Sequence, residues 1–556
     1  MKRWLLVTLC AILGLTMLVC GLLVPAHLRA VDVNVLKLAG RKGRTLVDEG
    51  FALLNQKQVG PAQQLLQAAT SENLRGHDQL EAAVGQFARD YPALLRWGGA
   101  DFYVERLFQH SGDSGPSNSQ PCIEFLVQSE NRERVLDFLN ASGLSEVRGV
   151  LQCRSLTNTA LFSPAQSASG QAWDAALALT GLLLHEHRLQ ASLHEAFAAM
   201  ATEANRGGNS EKLERSLLDL MSLGQRLNWL QLVVFVEQIG DPETLGKLAH
   251  LARKAEARLP VLFSAVHLSG NPAGVAKYLM EFSQSGWRDL TATLRFGTGG
   301  LKELLLRELP LYSSPLRNEL IQFDPFATFF FALLDCCWLT PWVALSLKWC
   351  FYVAGGFLLA MAFHFGKPAV SALELPLQVR GFHVAREFLF ALGFLLVVLL
   401  LSEPFLAQES QKVEFFPFRL RLPMVGSAAL AGIARAPSSF MNPPSLLTLL
   451  LFFVLQALIY TACLVKLAEI RRQNIAPRIK LKLLENEDHL FDAGLYLGFV
   501  GTIISLILVS LNVIKPSLMA AYSSTSFGII FVVIFKIFHL RPLRRKLLLE
   551  TEAIAS

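Results

Sequence analysis

The sequence predicts an all-α, polytopic membrane protein with about six transmembrane helices and a large N-terminal helical domain. Three observations predict it. Hydrophobic residues make up 52% of the 556 positions and charged residues only 17%, against roughly 25% charged in soluble domains. Apolar runs long enough to cross a bilayer lie at the chain start and after residue 325. Between them, residues 26–325 have soluble composition, with apolar positions three and four apart as in amphipathic helices. The net charge of +6 is too small to point to nucleic acid and reads instead as basic cytoplasmic loops.

The first element, residues 1–25, is a basic start (Lys2, Arg3) followed by an apolar run from Trp4 to Val24. The run is longer than the apolar core of a usual signal peptide, which favours an uncleaved signal anchor. Ala26 and Ala30 keep a cleavage site open.

Residues 26–325 form the predicted helical domain. Gly50–Thr70 reads as one hairpin of the tetratricopeptide kind, and Asp241–Leu279 offers further hairpins, but no fixed period marks a repeat array. Cys122–Gln128 and Val147–Cys153 are the best strand candidates. Gly112–Gln120 and Asn205–Ser210 are loops, and Gly297–Gly300 (GTGG) is a turn. Six of the eight cysteines lie in or beside apolar runs as packing residues. Cys122 and Cys153 lie in polar surroundings and could pair if this domain is extracytoplasmic. His187 and His194 sit seven apart on one predicted helix, where a metal pair wants three or four, so they read as a solvated face.

From residue 326 the composition turns apolar. Residues 326–443 hold two spans, about 341–364 and 387–406; the block 323–365 is interrupted by Asp335, Thr340-Pro341 and Lys348 and fits one span after an interfacial helix, or two spans. Lys348 reads as a snorkelling cation, and Glu403, just before Pro404, as a headgroup-facing acid. Residues 444–540 hold three more spans, about 445–466, 491–513 and 517–538, with Gln456 and Tyr460 on one face of the first, suited to bridging helices. A basic tail, 541–556, ends the chain. Loop charge sets the orientation. Lys466, Arg471, Arg472, Arg478, Lys480 and Lys482 mark one loop, and Arg541, Arg544, Arg545 and Lys546 the tail, against Lys515 alone in the link between the last spans. The positive-inside rule makes loop and tail cytoplasmic and, with one span in 323–365, puts residues 26–325 outside. The 407–443 loop, with Lys412, Arg419, Arg421 and Arg435, runs against this but is long.

The last two spans carry the most specific pattern. Gly494, Gly498, Gly501/Thr502 and Ser505 recur at helical spacing in the first, and Ser517, Ala521, Ser524/Thr525 and Gly528 in the second. Small and hydroxyl side chains on one face want a neighbouring helix or a narrow polar path. GLYLGFVGTIISL (Gly494–Leu506) followed by AAYSSTSFGII (Ala520–Ile530) and a basic end resembles the MotA/TolQ/ExbB proton-channel family over about residues 445–546. The cytoplasmic stretch before these helices is shorter than the family's, Met519-Ala520 stands where an acid is often found, and no late proline follows. The resemblance implies a three-helix membrane core and an ion path lined by Thr502, Thr525, Ser505 and Ser524. Packing would rest on Gly494, Gly498, Gly501 and Gly528. It further implies a homo-oligomer, a pentamer, in a bacterial inner membrane, around a single-span ExbD/TolR-like partner with a membrane Asp. Neither helix holds a central acid, so a proton carrier must come from another chain. The resulting expectation is a subunit of a proton-driven complex acting on the envelope, without a cofactor. The alternative is a non-conducting scaffold or sensor whose outer domain binds a protein or peptide. No internal duplication points to a secondary transporter, and no phosphate loop, nucleophile elbow or zinc cysteine cluster points to an enzyme.

Overall fold

The computed structural model describes residues 2–41, 43–108, 119–167, 169–366, 380–403, 443–473, 475–510 and 518–555. Most of Gly112–Gln120, the 407–443 loop, Lys515 and Ser517 fall outside them, as do the side chains of Ser505 and Ala521. The chain is overwhelmingly helical, and the strands among the described residues are two residues long, Val31–Asp32 and Leu311–Tyr312. Two compact units divide it, Val31–Leu311 and the remainder, Met1–Ala30 with Tyr312–Ser556.

Val31–Leu311 is built of short helices around one apolar core running from Val31 to Leu305. The expected hairpin is there. Leu46–Asn55 and Val59–Ser71 pack together, and the first opens on a capping box in which Thr45 and Asp48 satisfy each other's backbone N–H groups. Pro242–Lys254, Leu259–Ser269 and Pro272–Leu294 continue the pattern.

Four local readings are corrected. Cys122–Val127 and Ser145–Gln152 are helices. Val147, Val150 and Leu151 bury one helical face, and short apolar runs look alike in either periodicity. Gly297–Gly300 begins the helix Gly297–Arg307. Gly297 sits at φ +65°, and a side chain at Gly299 would lie 2.3 Å from the Ala39 carbonyl oxygen, so the glycines serve close backbone approach. The single helix expected through His185–His194 is two, Gln171–His185 and Ala191–Asn205, broken where His187 takes φ +53°. His187 and His194 stack with centroids 5.7 Å apart, and no cluster of three or more metal-ligating side chains occurs among the described residues.

In the other unit, α1 (Lys2–Leu23), α2 (Pro341–Gly366), α3 (Arg380–Ser402), α4 (Pro443–Arg472), α5 (Ala493–Ser510) and α6 (Leu518–Phe535) are apolar helices of 18 or more residues. Among the described residues, four segments are long and apolar enough to cross a membrane: Trp4–Leu23, Pro341–Phe363, Phe452–Arg472 and Tyr522–Glu552. Shorter apolar segments lie in α3 and α5, Phe390–Leu399 and Ala493–Ile503. The ambiguous block 323–365 is two helices, Asp324–Leu339 and α2, parted at Thr340-Pro341, because proline cannot continue the preceding helix. α1 lies along α2, where Gly14 and Gly355 let the backbones close; a side chain at Gly14 would come within 3.2 Å of the Gly355 carbonyl oxygen. α5 and α6 form the next closest pair, with α4 against both. After α6 a π turn, Lys536–Leu540, leads into α7 (Arg541–Ala555).

Candidate functional site

The seam between α5 and α6 is built on missing side chains. A Cβ at Gly498 would stand 2.9 Å from the Ser524 carbonyl oxygen and 3.2 Å from Thr525 Cα, and one at Gly528 2.6 Å from the Gly494 carbonyl oxygen. A Cβ at Gly501 would meet Ser524 Oγ at 2.5 Å. Any larger residue would wedge the pair apart. The four glycines singled out for packing therefore do lie in the seam.

The closeness brings two hydroxyls together. Thr502 Oγ1 and Thr525 Oγ1 are 2.5 Å apart, and each is within reach of the Gly498 carbonyl, at 3.1 and 3.2 Å. Two hydroxyl protons and one carbonyl allow two equivalent arrangements: either threonine donates to Gly498 while the other donates to its neighbour's oxygen. Such a group can reverse its hydrogen-bond direction without carrying charge. Thr502 is 9% exposed and Ser524 1%, so these groups face the helix seam, whereas Tyr496, Phe499, Tyr522 and Ile530 face outward and are exposed. Ser505 lies on α5 beyond the described side chains.

α4 closes the third side. Gln456, 1% exposed, donates from Nε2 to the Gly494 carbonyl at 3.0 Å. One turn on, the Tyr460 hydroxyl is 3.0 Å from His539 Nε2 and its ring packs edge-on against Phe531 and Phe535. Both bridging roles expected for Gln456 and Tyr460 are present. Beside the π turn, Lys536 pairs with Asp492 at 2.6 Å, and Arg544 with Asp488 at 2.8 Å. His539 was not legible in the sequence: a π turn inserts a residue into the helical register and rotates it onto α4.

A second polar cluster joins distant parts of the same unit. Lys348, in α2, is 2% exposed. Its ammonium donates to Glu403 Oε1 at 2.5 Å and to the Ala26 carbonyl at 2.8 Å. The other Glu403 oxygen accepts the Leu28 N–H at 2.8 Å and lies 3.7 Å from His27 Nδ1. Arg317, 1% exposed, reaches His27 Nε2 at 3.3 Å. This corrects the expectation that Lys348 snorkels and Glu403 faces headgroups: both are buried, and each neutralises the other. Sequence gave no signal, because the partners are far apart along the chain. Glu403 follows the last residue of α3, where charge is ordinarily exposed, whereas Lys348 lies two turns inside α2.

The Cys122–Cys153 bridge is not formed. Both are free, buried thiols. Cys122 lies beside Gly224, and Cys153 points at the Gly149 and Ala201 carbonyls, so the two serve different parts of the core. No protein-family model, no curated protein and no solved structure matches this chain.

Proposed function

We propose that the chain is a membrane subunit of a proton-driven complex acting on the cell envelope, with α4, α5 and α6 as the wall of the ion path. The observation that carries this reading is the Thr502–Thr525 pair. Two hydroxyls share one carbonyl in the middle of an apolar hairpin, able to reorient without a buried charge. No carboxylate lies among the described residues of α5 or α6, so the proton-binding acid comes from a second chain, a single-span ExbD/TolR-like protein with a membrane Asp. The outward aromatic and aliphatic face of the hairpin suits contact with lipid and with further copies of the chain in a pentameric ring. Six spans in a bacterial inner membrane, α1 to α6, then put the basic α4–α5 loop and α7 in the cytoplasm and Val31–Leu311 outside, where the domain transmits the work.

The test is proton flux. The full chain, purified in mild detergent with its co-purifying partners, is placed in liposomes with an internal pH dye. The double variant Thr502→Val/Thr525→Val keeps the side-chain shape and removes both hydroxyls. Flux at background level is the expected result; flux equal to wild type refutes the path. One observation favours a second reading, a non-conducting scaffold: both hydroxyls are satisfied within one chain. A monomer without an acid-bearing partner in the same purification would support it.

A further inference from the structure

Between the threonine pair and the basic end of the hairpin, the interior of α4–α6 carries a second set of polar groups. Gln456 leads it. Its Nε2 is committed to the Gly494 carbonyl, which fixes the amide orientation, since a flip would face one carbonyl with another. Its Oε1 is buried and accepts no hydrogen bond among the described residues. That oxygen is the atom nearest to where a side chain on Gly494 would begin, at 2.9 Å, so only a glycine there leaves room for the amide. An orphaned acceptor in an apolar interior is destabilising unless a donor reaches it. Water, with two donors, is the smallest that can.

The neighbouring groups continue at helical intervals. Gly498, which holds the threonines, and Gly494, which holds Gln456, are one turn apart on α5, about 6 Å by helix rise. Gln456 and Tyr460 are one turn apart on α4, again about 6 Å. Gaps of that size are bridged by one or two waters. Tyr460 then meets His539, turned onto it by the π turn that also sets Lys536 on Asp492.

We propose that Gln456, Tyr460 and His539 form a proton relay continuing the Thr502–Thr525 pair to the basic end of the hairpin, an inference that rests on the proton-driven reading above. A water held by Gln456 Oε1 receives the excess proton. It passes a proton to the Tyr460 oxygen as the Tyr460 O–H gives its own to His539 Nε2. The resulting imidazolium turns to the basic end, gives its Nε2 proton to water there, and swings back as the Nδ1–H tautomer whose bare Nε2 again accepts from Tyr460. No group other than histidine is left charged, and histidine is the side chain suited to gaining and losing a proton near neutral pH.

Two variants in the same liposomes test it. Tyr460→Phe keeps the ring contacts with Phe531 and Phe535 and removes only the hydroxyl; His539→Ala removes the terminal acceptor. Each is expected to lower flux roughly tenfold or more, with thermal unfolding of the Tyr460→Phe protein unchanged. Imidazole added on the basic side is expected to restore flux to His539→Ala, which a structural role would not allow. Wild-type flux in both variants, while Thr502→Val/Thr525→Val is inactive, overturns the relay and leaves the function standing. A His539→Ala loss that imidazole does not restore also overturns it. Wild-type liposomes no leakier than empty ones overturn the function, and the relay with it.

Discussion

The two polar clusters of the membrane unit solve the same problem in opposite ways. At Lys348–Glu403 full charges are buried and cancelled. Both Glu403 oxygens are engaged, and the ammonium has a carboxylate, a carbonyl and an imidazole about it. At Thr502–Thr525 and Gln456 nothing is charged, every group is a hydroxyl, amide or carbonyl, and one acceptor is left over. The first arrangement has a single low-energy state and ties the segment after α1 to α2 and the end of α3. The second has at least two proton arrangements of equal connectivity. A saturated ion pair acts as a fastening; an unsaturated neutral array can carry something through.

The largest effect should come from breaking the fastening on one side only. Lys348→Ala leaves Glu403 buried without its cation, and such a loss costs about 3–5 kcal/mol. The expected outcome is a steep fall in folded yield and unfolding temperature in detergent. Lys348→Met with Glu403→Leu removes both charges and should recover most of that loss. If the single and double variants are equally damaged, the pair is not what holds these segments together.

The neutral cluster should fail differently, through shape. Gly498→Ala sets a methyl group 2.9 Å from a backbone carbonyl, which cannot rotate away, and overpacking of this kind costs about 1–3 kcal/mol. Gly393→Ala is the control. That glycine faces α4 with nothing closer than 3.5 Å to the added carbon, so its unfolding temperature should match wild type. Equal behaviour of the two variants would mean that the α5–α6 seam does not depend on the glycine at 498.

This contrast follows what the sequence could convey. Gly494, Gly498, Thr502, Thr525 and Gly528 were legible because each helix repeats its small residues with its own period, and a seam between consecutive helices needs no long-range information. Gln456 and Tyr460 were legible for the same reason. Lys348 and Glu403 were not, since pairing between the interior of α2 and the end of α3 depends on how the two helices pack. His539 was hidden by the π turn. In Val31–Leu311 the helical hairpins were readable from amphipathic spacing, while Cys122–Val127 misled because a short apolar run has too few residues to show its period.

The smallest effect concerns another buried carboxylate, in Val31–Leu311, which has what Glu403 lacks: a like charge beside it. The Glu186 side chain is fully buried. Burial, with Asp101 next to it and only partly offset by Arg188 at 3.5 Å, pushes its carboxyl up to about 8. Asp101 takes the better share of Arg188, at 3.0 Å, and also the Trp229 N–H. The folded state therefore holds a proton on Glu186 that the unfolded chain gives up near the ordinary carboxylate range. The contribution to stability is fully present below that range, declines as pH rises through the interval up to about 8, and is flat above it. The difference in unfolding temperature between wild type and Glu186→Gln, followed from pH 4.5 to pH 8, reports on this group, because titrations not coupled to Glu186 cancel in the difference. Glu186→Gln should gain on wild type steadily across that interval. A difference that does not change with pH would mean that Glu186 stays ionised in the fold, neutralised by Arg188 as Glu403 is by Lys348.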